Sequence, residues 1–310
     1  MSVMGSCPFP YTLKERNSKG EPVSVPCGQC SICKMQTAKQ WSCRLRISVT
    51  ESQFPYFLTL TYDDNNLHYV DCVEKVAVNE KEKDVYYTCP WDDFAVQNGL
   101  KPSLVPEHIT NFIKQLRHHL PKGFKYYCVG EYGSKTKRPH YHMIVWNTLP
   151  KIEFFDLLEK YWKYGHFRID TVTPASIMYV TKYHVNKNFS PPDTVPSFAR
   201  MSKGIGAEFV NKTNLRWYNE IKNSTDRTFI SFDKCRYSMP RYLRDKIFNP
   251  LVWANRKQKK GDWWIDAYDE AAISHLEKFP SDLRDPTEVA YANRIHALNT
   301  VKKRANNGKF

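Results

Sequence analysis

The feature that most constrains the fold is the order of strand-like and helix-like segments between residues 56 and 186. Residues 56–62 alternate apolar and β-branched side chains, which is typical of a strand. The order that follows predicts an antiparallel sheet backed by helices, an α+β fold. The expected later elements are a helix at 107–120, strands at 124–130 and 141–146, a helix at 152–163, a strand at 166–172 and a helix from 174 to about 186.

The segments around this core suggest a division of the chain into three parts. Residues 1–50 are rich in cysteine, residues 51–200 carry the strand and helix pattern, and residues 201–310 form a basic C-terminal region with an expected helical extension. An acidic insertion at 63–104 interrupts the middle part. Its apolar runs at 73–78 and 85–87 are consistent with a hairpin.

Charge indicates the kind of partner. The chain has 46 Lys and Arg residues against 32 Asp and Glu, a formal net charge of +14, which points to a polyanion. The excess lies in residues 101–148, with eight basic and two acidic residues, and in 182–260, with seventeen basic and six acidic residues. No apolar run approaches the ~20 residues of a membrane span, and residues 1–10 lack the apolar stretch of a signal peptide. A membrane-surface role is disfavoured, because no strongly amphipathic basic helix is evident.

The sequence His140-Tyr141-His142 is the sharpest chemical feature. Side chains alternate along a strand, so both imidazoles point the same way and Tyr141 points oppositely. We expect Glu131, at the end of the preceding strand, to fold back beside them. Two histidines and one carboxylate would leave coordination positions open for a substrate oxygen. A lone His-x-His is usually a pair of half-buried strand residues, but Glu131 and the basic turn favour a metal site.

Tyr179, Lys182 and Tyr183 share one face of the expected helix, because residues three and four apart are helical neighbours. A phenol with a pKa of roughly 10 is a poor nucleophile, so a nearby cation or metal must help it ionise. Lys182 could do this, or stabilise charge on a phosphate. Taken alone, the motif is more often an amphipathic helix with two packed tyrosines.

Four cysteines cluster near the start of the chain. Cys27, Cys30 and Cys33 follow a C-x2-C-x2-C spacing, and Cys7 could complete a tetrahedral zinc site. An iron–sulfur cluster is a rival, although the run lacks the fourth cysteine and the proline of the ferredoxin pattern. Reduced cysteines without metal are the other alternative.

These motifs together resemble the rolling-circle replication initiators of the HUH endonuclease class, in particular those of gokushovirus-like microviruses, the small single-stranded DNA phages. The resemblance extends from about residue 7 to residue 248. The segments that carry it are residues 57–62, Pro139 to His142, Tyr179 to Tyr183, the cysteine cluster at 26–33, residues 202–206 and residues 240–242.

The resemblance implies a sheet-centred palm of the HUH type with flanking helices. His140 and His142 would hold Mg²⁺ or Mn²⁺ against the scissile phosphate, with Glu131 as third ligand. Tyr179 would attack the phosphate, leaving a 5′-phosphotyrosyl link and a free 3′-hydroxyl. Tyr183 would alternate with it to resolve each round.

The implied partners are single-stranded DNA at a replication origin and a host DNA polymerase and helicase, in the host bacterial cytoplasm. No nucleotide-binding P-loop motif is present, so unwinding would come from a partner. Lys135, Lys137 and Arg138 could grip the DNA backbone. Two alternatives remain open: a zinc-containing nucleic-acid-binding regulator without catalysis, and a non-haem iron oxygenase with two histidines and a carboxylate.

Overall fold

The computed structural model describes residues 7, 9–16, 22–78, 81–90, 100–182, 190–219, 229–232 and 235–248. The chain divides into two compact units, Arg44–Glu208 and a second unit formed by Met1–Cys43 with Phe209–Phe310. Helix α1 (Ser31–Thr50) contributes residues to both. The expected helical extension after residue 250 lies outside the described residues.

A five-stranded sheet forms the framework of the unit Arg44–Glu208. Every pair of neighbouring strands is antiparallel, which confirms the predicted α+β fold with an antiparallel sheet. In spatial order its strands are β10 (Phe198–Met201), β7 (Lys125–Tyr132), β8 (Pro139–Trp146), β3 (Tyr56–Thr61) and β9 (Phe167–Thr171).

Two helices, α2 (Pro106–Arg117) and α3 (Lys151–Tyr161), supply the core of this unit. The predicted stripe is buried at Ile109, Phe112, Ile113 and Leu116, and it packs with Phe154 and Leu158 of α3 and with apolar residues of the sheet. The predicted end of α2 at Leu120 is wrong. The helix ends at Arg117, and Pro121 disfavours helical geometry at the residue before it.

The acidic segment forms a three-stranded sheet of β4 (His68–Val78), β5 (Lys81–Pro90) and β6 (Pro102–Ser103). The hairpin expectation is confirmed, although both strands are longer than predicted. The ladder contains an irregularity between Val70 and Cys72. The longer pairing is possible because polar and apolar residues keep alternating well beyond the apolar runs.

The turn between β7 and β8 is shorter than predicted. The Gly133 amide donates to the Arg138 carbonyl over 3.0 Å, and the Lys137 amide donates to the Gly133 carbonyl over 3.0 Å. Lys137 adopts a positive φ of 56° to close this turn. Both strands therefore continue to the turn, and Glu131 and His140 lie within the sheet.

The second unit contains short elements. Its described helices and strands are β1 (Tyr11–Arg16), β2 (Pro22–Val25), α5 (Lys212–Asn219), β11 (Phe229–Phe232), β12 (Cys235–Ser238) and α6 (Arg241–Ile247). The strands pair as two antiparallel hairpins. Within the described part of the chain, no helix has the length and apolar character needed to cross a bilayer.

The loop after α3 approaches the end of β3 unusually closely at Gly165. The Thr61 amide donates to the His166 carbonyl over 2.8 Å, and the Asp63 amide donates to the Tyr164 carbonyl over 3.0 Å. Gly165 has a φ of +149°, and a Cβ at this position would collide with the backbone of Thr61, Tyr62 and Asp63. Only glycine fits here, because the neighbouring atoms belong to backbone that pairs in the sheet.

We expect Gly165→Ala to lower the free energy of unfolding by about 3 kcal/mol, since it adds a backbone collision to an unfavourable φ. Gly123→Ala is the matched control. Gly123 also has a positive φ, of +105°, but its Cβ would meet nothing closer than 3.9 Å, so we expect a smaller loss of roughly 1–2 kcal/mol. Urea unfolding followed by circular dichroism measures both. Equal losses would show that the collision contributes nothing.

Candidate active site

Strand register places four polar side chains on one face of the five-stranded sheet. Glu131 lies directly opposite His140 on the neighbouring strand, and His142 lies opposite Thr59 on the other side. Directly opposed residues project to the same face of a sheet, and residues two apart along one strand do so as well. Glu131, His140, His142 and Thr59 therefore form one cluster.

Tyr141, between the two histidines, projects to the opposite face and is fully buried. Its hydroxyl donates to the Val105 carbonyl over 3.0 Å and accepts from the Val105 amide over 3.0 Å. It also lies 2.8 Å from the hydroxyl of Tyr62. A buried tyrosine with these partners holds strand β8 so that both imidazoles face away from the core.

The three side chains expected to bind metal lie within coordination range of a single ion. Glu131 Oε1 lies 3.5 Å from His142 Nε2 and 3.9 Å from His140 Nε2. One potential ligand atom from each residue lies within 4.8 Å of the others. The structure thus brings together Glu131, His140 and His142.

Hydrogen bonds orient both imidazoles. His140 Nδ1 lies 3.1 Å from the Arg138 carbonyl. Because a carbonyl only accepts, Nδ1 carries the hydrogen and Nε2 keeps its lone pair. His142 Nδ1 lies 3.1 Å from Thr59 Oγ1, and Phe57 stacks on the His142 ring at a centroid distance of 5.5 Å. Such outer partners fix the ring orientation of metal-binding histidines.

The electrostatics of the cluster fit a divalent cation. Burial, with a smaller effect of His140, lowers the pKa of His142 to about 3, so this imidazole is neutral at pH 7. Burial also raises the pKa of Glu131, against the opposing effect of His140. A neutral His142 and a carboxylate are poor partners for each other without a cation. Two imidazole nitrogens and one carboxylate oxygen are donors that transition-metal ions accept, with positions left open.

Tyr179 reaches this cluster from helix α4 (Pro174–Lys182), which is capped by Thr173 Oγ1 accepting from the Ser176 amide over 3.1 Å. Its hydroxyl lies 3.4 Å from His142 Nε2, and its ring meets the imidazole edge-on at a centroid distance of 4.9 Å. The residue is 48% exposed. Burial of its hydroxyl and the adjacent Glu131 carboxylate raise the pKa of Tyr179.

The remaining predicted residues differ in their surroundings. Lys182 ends α4, and its charge lowers the pKa of Glu131. Lys135 and Lys137 are exposed in the turn. Arg138 donates to Asp64 Oδ1 over 2.6 Å and to the Tyr62 carbonyl over 2.8 Å. Tyr183 lies outside the described residues.

The predicted cysteines also come together. The sulfurs of Cys7, Cys27, Cys30 and Cys33 lie within 4.8 Å of one another. The four side chains are partly buried, except that of Cys33, which is buried. They form a second cluster, distinct in composition from the first.

Sequence reasoning did not assign roles to Thr59, Phe57 and Arg168. The alternation of Phe57 and Thr59 along one strand was a usable signal, but only the pairing shows that this strand lies next to His142. Arg168, on edge strand β9, lies opposite Thr59 and so projects to the same face. Its guanidinium pairs with Asp170 over 2.9 Å.

Comparison with known proteins identifies the family. The family model of the ORF2-type replication-associated proteins matches residues 93–189. The chain is 30% identical over 245 residues to the replication-associated protein ORF2 of Spiroplasma virus 4, covering 71% of this chain and 66% of that protein. The chain belongs to this family.

Two further relatives are similar to this family member. The replication-associated protein ORF4 of Chlamydia phage 1 is 27% identical, over 72% of this chain and 53% of the relative. The replication-associated protein VP4 of Bdellovibrio phage phiMH2K is 26% identical, over 78% of this chain and 74% of the relative. The chain thus spans just under two thirds of the Spiroplasma virus protein and about half of the Chlamydia phage protein. No solved structure matches the chain significantly.

The matched family region contains Glu131, His140, His142 and Tyr179, but strand β3 lies before it. This replication-associated protein therefore completes its cluster with Thr59, a residue from outside the region that defines the family model.

We expect Thr59→Val to weaken Mn²⁺ binding by about 10- to 100-fold, because the variant keeps the side-chain shape but removes the hydrogen bond that orients His142. Thr61→Val is the matched control, since the Thr61 hydroxyl donates to the His166 carbonyl instead of an imidazole. Isothermal titration calorimetry with MnCl₂ measures both. Wild-type affinity in Thr59→Val would exclude this role for Thr59.

Proposed function

We propose that the protein initiates rolling-circle replication by nicking and rejoining single-stranded DNA with Tyr179 as nucleophile. The observation that carries the proposal is the position of the Tyr179 hydroxyl, 3.4 Å from Nε2 of His142 in the metal-binding cluster. A phenol beside two histidines and a carboxylate is suited to attack a phosphodiester bound at the same place. Membership in a family of replication-associated proteins and the net charge of +14 support a DNA substrate.

The three ligands fit a resident Mg²⁺ or Mn²⁺ held by His140, His142 and Glu131. Bound there, the ion would polarise the phosphate and supply positive charge that opposes the effect of Glu131 on the pKa of Tyr179. Thr59 and the Arg138 carbonyl keep the imidazoles oriented with Nε2 toward the cluster. Helix α4 holds Tyr179 in reach through buried Ile177 and Val180.

The proposed reaction is a transesterification that conserves the phosphodiester. The Tyr179 oxygen forms a bond to phosphorus while the bond from phosphorus to the 3′-oxygen breaks, and the electron pair of that bond stays on the 3′-oxygen. The phenolic proton leaves to water, which reaches the half-exposed Tyr179, and the 3′-oxygen takes up a proton. The products are a 5′-phosphotyrosyl link and a 3′-hydroxyl that a polymerase can extend.

Cations near the cluster suit a DNA backbone. Lys135 and Lys137 are exposed in the turn that joins the two ligand-bearing strands, and Lys182 ends the helix that carries Tyr179. Lysines of this kind would pair with phosphates on either side of the scissile bond. Arg138 would take part only by sharing its guanidinium with Asp64. We further propose a host polymerase and helicase as partners in the host bacterial cytoplasm, where a phage origin is copied.

We expect Tyr179→Phe to reduce covalent protein–DNA adducts at least about 1,000-fold, because the nucleophilic oxygen is absent. The assay uses single strands from the replicon that encodes the protein, with MnCl₂, and denaturing gels. A 3′-end label must move with the protein and a 5′-end label must not, since the link is to the 5′-phosphate. Tyr161→Phe, which changes an exposed tyrosine bonded to His119, is the control. Adducts in Tyr179→Phe would exclude Tyr179 as the nucleophile.

We expect Tyr183→Phe to keep the first adduct but to lose most circle closure, because the proposed second tyrosine, one helical turn after Tyr179, would accept the new strand end. The measurement is the yield of closed single-stranded circles from a substrate with two cleavage sites. Circle closure equal to wild type would show that Tyr179 acts alone.

The two alternatives give different results in the same assays. A non-haem iron oxygenase would need Fe²⁺, would consume oxygen and would form no DNA adduct. A non-catalytic regulator would bind DNA equally well after His140→Ala and would also form no adduct. The position of Tyr179 favours the nicking reaction over both, since neither alternative uses a phenol at the ligand cluster.

A further inference from the structure

We propose that Cys7, Cys27, Cys30 and Cys33 bind one Zn²⁺ in a closed, tetrahedral site that holds together the N-terminal part of the chain. The proposal is independent of the nicking reaction, because it uses no residue of the Glu131, His140 and His142 cluster. Its support comes from sulfur geometry, from amide hydrogen bonds and from the elements that the four cysteines join.

The sulfur positions match a single tetrahedral ion. Cys7 Sγ lies 3.9 Å from Cys30 Sγ, and Cys27 Sγ lies 4.0 Å from Cys33 Sγ. With zinc–sulfur bonds of about 2.3 Å, two sulfurs of a regular tetrahedron are about 3.8 Å apart. These two pairs share no residue, so they are opposite edges of one tetrahedron. All four sulfurs lie within 4.8 Å of one another, which closes the figure.

The same distances argue against other cysteine chemistry. A disulfide needs sulfurs about 2.0 Å apart, roughly half of either separation. In an iron–sulfur cluster each thiolate binds a different iron or shares a larger inorganic core, so the sulfurs stand farther apart than around one ion. Four thiols with no metal would have no reason to converge with such even spacing, because their mutual contacts are weak hydrogen bonds.

Backbone amides point at three of the four sulfurs. The Cys27 amide donates to Cys7 Sγ over 3.3 Å, the Cys30 amide to Cys27 Sγ over 3.3 Å, and the Cys33 amide to Cys30 Sγ over 3.5 Å. Gly28 makes the turn possible with a φ of +73°, a conformation that side chains disfavour. Amide donors stabilise thiolates, so the backbone is arranged for charged sulfur ligands.

The site joins segments that lack a large core of their own. Cys7 precedes the hairpin of β1 (Tyr11–Arg16) and β2 (Pro22–Val25), whereas Cys30 and Cys33 lie at the start of helix α1. Residues of β1 such as Tyr11 are exposed. Four thiolates and one Zn²⁺ carry a net charge of −2, which the N-terminal end of α1 favours. With four protein ligands the ion has no open position, so the role is structural.

The test begins with the wild-type full chain, purified without added metal. We expect about one zinc per chain by mass spectrometry, released when an organomercurial reagent titrates four thiols. Replacement by Co²⁺ should give the sulfur-to-cobalt charge-transfer band and the visible bands of tetrahedral thiolate coordination. A Co²⁺ ion at the histidine cluster gives no such charge-transfer band. Iron in place of zinc, or no thiolate-bound metal after refolding with ZnCl₂, would overturn the proposal.

Two variants identify the ligands. Cys7→Ser should lose the tightly bound zinc, or bind it at least about 10-fold more weakly, because one thiolate is missing. Cys128→Ser is the control, since Cys128 is a buried cysteine of the sheet and not of the cluster; it should keep one zinc. If Cys7→Ser does not fold, zinc release and the cobalt spectrum of wild type still decide the matter. Full zinc content and affinity in a folded Cys7→Ser would exclude Cys7.

Discussion

The antiparallel register of strands β7, β8 and β3 is the constraint on which the candidate active site depends. It sets Glu131 opposite His140 and Thr59 opposite His142. A shift of one residue in β8 would turn both imidazoles into the apolar core and Tyr141 out of it. The buried hydrogen bonds of Tyr141 to Val105 oppose that shift, because breaking them would leave buried polar groups without partners.

The two faces of the sheet therefore have separate roles that one strand connects. The core face packs on α2 and α3 and fixes the position of β8. The other face presents the ligand cluster, and helix α4 brings Tyr179 to it. The ligand cluster and the cysteine cluster also differ in kind. The first has three protein ligands and is partly accessible, as a reaction requires, whereas the second has four and is closed, as a structural ion requires.

Much of the framework could be predicted because local patterns were strong. The alternation in β3, the stripe of α2 and the Thr173 cap of α4 each identified an element from neighbouring residues alone. The end of α2 and the lengths of the β4–β5 hairpin were less predictable, since strand ends depend on a partner strand. For the site, His140 and His142 were evident from their spacing, but Thr59 required knowledge of which strand lies beside β8.

The sequence by itself determined which side chains share a face, because a strand repeats every two residues and a helix every 3.6. That is sufficient to pair His140 with His142 and to separate both from Tyr141. Only the tertiary structure decided which elements are neighbours. The distances from Glu131 and Tyr179 to the imidazoles, the role of Thr59 and the convergence of Cys7 on the other three cysteines all join residues far apart in the chain. Local periodicity carries no information about such contacts, which are set by strand pairing and core packing.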